Sequence, residues 1–325
     1  MTRLHEALIH SPGTGGEDTM TMVKRFGMDY GGTNVKAGVF GEDGTVLQFR
    51  EQPLAEVASG GELLENLLTL AREVSRGYPL HAGGLAIKGL VNAQRGIVEE
   101  DIGAGSLLAG MDLRSAFSRA LGAPCVIEND ARAYAWGEWL FGAGRGAKTV
   151  VCMTLGTGIG CAVVAGGLPY RGGSQFGGLL GGHLSIDRNG PPCACGNRGC
   201  LELFCSATAL RRRILERHGD LEQVSADVLV EFFGSIRRGD REYRESFEEF
   251  INTLALGVVN VIHAYGPDVV VLGGGVMKSA DLILPPLIEQ VHRMAWTFPR
   301  GSVRIQPAAL GNRAAALGAA FFPPP

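Results

Sequence analysis

Two stretches of this chain read as the same device. Residues 29–40, DYGGTNVKAGVF, and residues 154–165, TLGTGIGCAVVA, each place an apolar strand, a Gly/Thr turn and a second apolar strand in succession. Setting Thr154 under Asp29, a spacing of 125 residues, brings Gly31 onto Gly156 and Val39 onto Val164. A repeat at that distance is too long for a solenoid and predicts two lobes of related topology facing each other across a cleft. At 325 residues the chain also exceeds the size at which one core usually stops growing.

The pattern around the two turns alternates helix and strand, so the class is α/β. After the first turn, Glu42–Thr45 reads as a second turn in a three-stranded meander. Leucines at 63, 64, 67, 68 and 70 predict a helix over Glu62–Arg76, and Gly83–Val91 predicts a strand. Asp112–Ala120 reads as a helix capped by Asp112, Ala123–Ile127 as a strand and Ala131–Phe141 as a helix. Helices follow near Ser206–Arg217, Ala226–Phe233 and Tyr243–Ala264, then the strand Asp268–Leu272 and an alanine-rich helix over Arg313–Phe322. The expected division is a small lobe over 23–130 and a large lobe over 131–307, with the C-terminal helix at about 308–325 placed to return to the small lobe. Residues 1–22, punctuated by Pro12, Gly13, Gly15 and Gly16, read as a flexible extension.

Each glycine turn offers consecutive backbone N–H groups, and Gly31, Gly32 and Thr33 add a hydroxyl suited to phosphate oxygens. Lys36 adds a cation and Asp29 a carboxylate able to hold a magnesium-bound water. Gly156, Thr157, Gly158 and Gly160 form the partner turn, so a phosphate chain gripped from both sides would explain the duplication. A plain hairpin that needs glycine for its backbone angles is the alternative for either turn alone. No G-x-x-x-x-G-K-S/T occurs, and a strand rather than a helix follows each turn, which excludes a P-loop and a dinucleotide fingerprint. A third run, Gly273-Gly274-Gly275, ends the apolar strand VVVLG and permits close approach of a flat ring or a ribose, or simply a strand-to-helix turn.

The strand ending at Ile127 delivers Glu128, Asn129 and Asp130 to the start of a helix, where ligands bind in open α/β sheets. A helix N-terminus stabilises a carboxylate, so Asp130 is expected to be ionised at neutral pH and able to take a proton; a capping role is the other reading. Further on, His183, Cys193, Cys195 and Cys200 form H-x9-C-x-C-x4-C with Gly196 and Gly199 shaping the loop. One imidazole and three thiolates make a closed tetrahedral site of the structural zinc kind. Cys205 is a substitute ligand, whereas Cys125, Cys152 and Cys161 lie in apolar strands and read as core.

With these residues in view, the chain resembles the ROK family of sugar kinases and repressors, within the actin and hexokinase superfamily. The resemblance rests on DYGGTNVK, IENDARAYAWGEWLFGAGRG, TLGTGIG, the zinc loop from His183 through CACGNRGCLE to Glu202, and VVVLGGGV. It implies the two-lobed, ribonuclease H-like fold with a central cleft. It also implies an ATP- and Mg2+-dependent kinase acting on a hydroxyl of a hexose, amino sugar or cyclitol. Asp130 would be the general base, and Gly89, Asn129, His183 and Glu202 would line the sugar site. The nucleotide would be held by Asp29, Gly31, Gly32, Thr33, Lys36, Gly156, Thr157, Gly158, Gly273, Gly274 and Gly275, and a homodimer or higher homo-oligomer is the expected assembly. Where the family usually has a sugar-binding Glu three residues before the zinc His, this chain has Leu180. Lys88 stands where a proline is common before Gly89, and DIGAGS replaces the usual Pro-Asn. An acceptor other than free glucose is therefore expected.

Thirty basic residues against 33 acidic ones leave no basic field for nucleic acid, and the Arg211-Arg212-Arg213 cluster lacks interleaved aromatic residues for base stacking. A sugar-responsive repressor would carry a DNA-binding helix-turn-helix, and the 22 residues before Val23 lack its pattern. A sugar-binding protein without catalysis is the other rival, opposed by Asp29, Thr33, Asp130 and both glycine turns. No secretory signal or membrane span is legible, so a cytoplasmic protein with no membrane partner is expected.

Overall fold

The computed structural model describes residues 23–59, 62–100, 107–173, 176–218 and 228–325, so the expected N-terminal extension and the 101–106 segment lie outside the described residues. Strands β1 (Lys24–Tyr30), β2 (Asn34–Gly41) and β3 (Val46–Pro53) form the meander, followed by α1 (Leu63–Ser75) and β4 (Ala82–Ile87). A small ribbon of β5 (Leu90–Asn92) and β6 (Ile97–Glu100) precedes α2 (Leu113–Leu121), β7 (Cys125–Asn129) and α3 (Asp130–Phe141). The second half holds β8 (Thr149–Leu155), β9 (Ile159–Ala165), β10 (Leu168–Pro169), α4 (Ala207–His218), α5 (Val228–Arg238) and α6 (Arg244–Tyr265). It ends with β11 (Val269–Gly273), α7 (Ala280–Met294), β12 (Arg304–Pro307) and α8 (Ala314–Ala320).

The repeat is real at the level of topology. One sheet runs β3-β2-β1-β4-β7 and the other β10-β9-β8-β11-β12, each an antiparallel meander extended by two parallel strands. The register corrects one detail. Tyr30 pairs with Val35 across a four-residue turn, whereas Leu155 pairs with Ile159 across a three-residue turn. Phe26 faces Val39 and its counterpart Val151 faces Val163, so Val39 corresponds to Val163 and not to Val164. The second turn has lost one residue, which an ungapped overlay hides.

Two further expectations change. The Gly83–Val91 strand is broken after Ile87, because Gly89 takes a positive φ of 106° that turns the chain out of the sheet. Helix α7 occupies a stretch for which no element was expected; Pro285 and Pro286 lie inside it, but Ile283, Leu287 and Val291 are buried along one face, and that packing outweighs the lost N–H groups. Most other elements sit within a residue or two of expectation, although α5 runs on to Arg238, five residues past the expected Phe233, and the Asp112 side chain caps α2 by accepting from Ser115 N at 3.0 Å. The predicted helix beginning at Ala226 appears as α5, with residues 226 and 227 outside the described set.

Each sheet has its own core. Phe26, Met28, Leu67, Leu85 and Phe117 fill the space between the first sheet and α1 and α2, while Met153, Leu254, Val258, Leu272 and Leu287 fill the space between the second sheet and its helices. Helix α8 joins them. It packs without intervening side chains on β1, β4 and α3: a Cβ on Gly27 would lie 1.9 Å from Ala316 O, one on Gly84 2.0 Å from Ala319 O, and one on Gly137 2.4 Å from Ala314 O. These obstacles are backbone atoms, so no rotamer change relieves them. We expect Gly84→Ala to destabilise the protein by about 3 kcal/mol, whereas Gly32→Ala, with nothing within 4 Å of the added atom, should cost under about 1 kcal/mol. Urea unfolding of both variants checks this; a Gly84→Ala protein as stable as the wild type would contradict the packing described.

Candidate active site

Strand β7 and helix α3 meet at the centre of the molecule. Asn129 is the residue that caps α3, accepting from Arg132 N at 3.2 Å through its side chain, while its amide donates to Gly89 O at 3.0 Å. That relieves Asp130 of the capping role and leaves its carboxylate at the first helical position, where one oxygen accepts from its neighbour Ala131 N at 2.9 Å. The turn rests on a buried ion network. Glu128 accepts from Arg132 at 2.6 Å, from Arg171 at 2.7 Å and from Asn129 N at 2.8 Å, and Arg132 reaches Gly177 O at 3.2 Å. Glu128 and Arg132 are each 1% exposed. Further along α3, the buried Glu138 accepts from three backbone N–H groups, those of Ala143, Ala309 and Leu310. The sequence reading placed Glu128 at the end of its strand without a role and did not single out Arg132, Arg171 or Glu138; the only hint was Glu138 in otherwise apolar surroundings.

Asp130 separates two chambers of the cleft. The first, about 450 Å3, is bordered by Asp29, Gly31, Lys36, Gly273, Gly274, Gly275 and Asn312. The second, about 550 Å3, is bordered by Lys88, Gly89, Asn129, Leu180, His183 and Glu202. Asp130, Ala131 and Thr154 border both. The residues expected to hold phosphates are divided between them, with Asp29, Gly31 and Lys36 on the first and Gly32, Gly156, Thr157 and Gly158 on the second. Thr33 borders neither; it is exposed, and its carbonyl accepts from Leu54 N at 2.8 Å. Tyr134, Thr154 and Lys278 border the first chamber and Thr208 the second, none of which was singled out from the sequence.

Electrostatics inside the cleft run against the simple helix-terminus expectation. Burial, then the neighbouring charge of Asp29, push the Asp130 carboxyl up to about 6, outweighing the Ala131 N–H and the Lys88 cation that act the other way. It is still mostly ionised at neutral pH, but weakly so and therefore more basic than an exposed aspartate. Burial also raises Asp29, opposed by Lys36, whose ammonium lies 2.9 Å away. Lys36 is thus an ion-pair partner before any phosphate arrives.

The second glycine turn is fastened to the cysteine loop. Glu202 accepts from Ile159 N at 2.7 Å, and a Cβ on Gly158 would lie 2.4 Å from that carboxylate, which explains the glycine. Thr208 donates to Thr157 O at 2.8 Å. The ligand atoms of His183, Cys193, Cys195 and Cys200 all lie within 4.8 Å of one another. A tetrahedron with Zn–S bonds of about 2.3 Å has edges of roughly 3.8 Å, so the donor set and its spacing suit zinc. Cys205 stands apart from this cluster, buried with its thiol toward Phe250 O.

The family model described as the ROK family matches residues 25–323, nearly the whole chain. The protein belongs to the ROK family. A ROK-family glucokinase from Streptomyces griseus, solved in complex with glucose and AMPPNP, superposes with a TM-score of 0.78 at 29% identity, covering 91% of this chain and 98% of that one. A glucokinase of Thermotoga maritima is 32% identical over 313 residues, 93% of this chain and 97% of the relative. A xylose repressor of Bacillus subtilis is 31% identical over 241 residues, but these cover 74% of this chain and 60% of the repressor. The fold is accordingly the two-lobed actin/hexokinase-like fold of ROK kinases, as the resemblance implied. No helix among the described residues is long and apolar enough to cross a membrane.

Proposed function

We propose that this ROK protein is an ATP-dependent sugar kinase in which Asp130 takes the proton of the acceptor hydroxyl. The observation that carries the assignment is the position of Asp130 on the wall shared by two chambers, with a carboxyl pushed up to about 6. The first chamber, floored by Gly273–Gly275, would take the nucleotide, and Asn129, His183, Glu202 and Gly89 would hold the acceptor ring in the second. The phosphate chain would pass between the two glycine turns. Near-complete coverage of the glucokinase relative supports the enzyme reading. Asp29, the other acid of the first chamber, would hold a magnesium-bound water; the ion supplies charge neutralisation to the phosphates when bound. None of the seven cysteines is in a disulfide, which supports a reducing, cytoplasmic setting.

Because burial holds the Asp130 pKa above that of a free carboxyl, the ionised base is present above about pH 6 and lost below it. The acidic limb of kcat/KM for the acceptor should therefore fall through an apparent pKa near 6. Asp130→Asn should lower kcat ~100-fold or more. The same raised pKa means that the ionised carboxylate weakens the fold at neutral pH, so the Asn variant should melt no lower than the wild type. Turnover within a few fold of wild type, or a flat profile down to pH 5, would sink the role.

Zinc is proposed as a structural ion holding His183, Cys193, Cys195 and Cys200. The loop leads straight into Glu202, which fastens the second glycine turn, so the metal would support the acceptor chamber without touching the chemistry. Elemental analysis should find one zinc per chain, and Cys195→Ser should release it and lower the melting temperature. Zinc-free protein with wild-type stability would refute the site.

The acceptor is proposed to differ from free glucose. Leu180 is 44% exposed and borders the second chamber beside Leu179. A ring hydroxyl left against it without a partner costs roughly 1–3 kcal/mol, or about 5- to 150-fold in discrimination. A deoxy sugar, a substituted sugar or a cyclitol avoids that loss. Among hexoses, amino sugars and cyclitols, glucose should not have the highest kcat/KM, and Leu180→Glu should shift preference toward it; a wild type that already favours glucose would overturn the proposal.

A further inference from the structure

We infer that Lys88 is a further catalytic residue, whose ammonium group contacts the phosphoryl group as it arrives on the acceptor. The inference rests on the kinase reading above. Strand β4 runs buried from Gly83 to Ile87 and stops there, so Lys88 is the first exposed residue after five buried ones. Gly89 follows with φ 106°, a conformation that L side chains rarely adopt, and its carbonyl is held by the Asn129 amide at 3.0 Å. Lys88 is thereby fixed between a sheet and a glycine pinned by the residue that precedes the base. It borders the second chamber together with Gly32, Asp130 and Gly156, and its charge reaches Asp130.

The charges at the junction explain why a second cation belongs there. Asp29 and Asp130 bring negative charge to the point where the chambers meet, and an arriving phosphoryl group adds more. Lys36 is held by Asp29 at 2.9 Å and borders the first chamber, the donor side. Lys88 borders the second, the side on which the phosphoryl group ends its transfer. In the step, the acceptor oxygen forms a bond to the γ-phosphorus while the bond from that phosphorus to the β,γ-bridging oxygen breaks, and the electron pair leaves with ADP. The acceptor proton goes to the Asp130 carboxylate. Lys88 keeps its protons and donates hydrogen bonds to the non-bridging oxygens, whose charge it offsets on the acceptor side.

Lys88→Met and Lys88→Arg in the full chain, assayed with Mg-ATP and the best acceptor from the sugar panel, test this. The Met variant should lose ~100-fold in kcat, the scale for removing one preorganised donor, with KM for ATP and acceptor within about 3-fold. Slow ATP hydrolysis without acceptor should fall by a similar factor, because water attacks the same phosphoryl group. The Arg variant should recover about tenfold, since the cation is restored with altered reach. A melting temperature equal to wild type in either variant separates these effects from misfolding, and the Arg variant alone decides the matter if the Met variant melts early. The inference is overturned if kcat of the Met variant stays within about 3-fold, or if only the acceptor KM rises while acceptor-free hydrolysis is unchanged. An inactive wild type on every sugar is a different failure: it removes the kinase reading, and the Lys88 role falls with it.

Discussion

Everything in the cleft is positioned by one contact, the seat of α8 against β1, β4 and α3. Helix α3 leaves the first sheet and leads to the second, and α8 returns from the last strand of the second sheet to lie on the first. The two helices touch backbone to backbone through Gly137 and Gly318, and α8 touches the sheet through Gly27 and Gly84. At these contacts alanine-helix backbone meets glycine with no long side chain between, Leu317 packing separately with Phe40, so the relative placement of the two sheets is set by hard contacts rather than by an adaptable apolar layer. Glu138 adds a polar lock by gathering the N–H groups of Ala309 and Leu310 just before α8.

The strand–helix unit at this crossing carries three acids in three environments. Glu128 is matched by two guanidinium groups, and Glu138 by three backbone N–H groups. Asp130 receives its neighbour's N–H and feels a second carboxylate, Asp29, from the end of β1 in the same sheet, and burial dominates. The first two carboxylates are compensated where they sit, which makes them supports. The third is left partly uncompensated at the mouth of both chambers, and that shortfall is what makes it basic enough to take a proton. A carboxylate surrounded as Glu128 is would hold the turn equally well and be a poor base.

The legible part of this structure was the part written in local pattern. Strand, glycine turn and strand recur with enough fidelity that the two sheets, their related order and the cysteine cluster follow from the text alone. What stayed hidden depended on partners distant in sequence. Arg171 meets Glu128 across 43 residues, and Glu138 meets Leu310 across 172. No spacing rule reaches so far. The break at Gly89 was hidden for another reason: apart from Lys88 the run from Leu85 to Val91 is apolar, and the glycine just past β4 reads like an interior one until Asn129 is seen to hold its carbonyl. Helix α7 went unread as well: it contains Pro285 and Pro286, and tertiary burial of one face sustains it against that local signal.

The repeat also shows how two copies of one device can diverge into different tasks. The four-residue first turn is closed by Gly31 N bonded to Asn34 O and braced at Thr33 O by Leu54 N, just past its own meander, and presents Gly31 to one chamber and Gly32 to the other. The second turn is one residue shorter and is closed in the same way, by Gly156 N on Gly158 O, but it is braced from a distant segment, by Glu202 at Ile159 and by Ala207 and Thr208 at Gly156 and Thr157. That segment is the cysteine loop and the start of α4, so the integrity of the second turn depends on the folding of residues that the first turn never contacts. Two similar turns thus differ in their support: the first is braced from the end of its own meander, and the second from the cysteine loop and the start of α4.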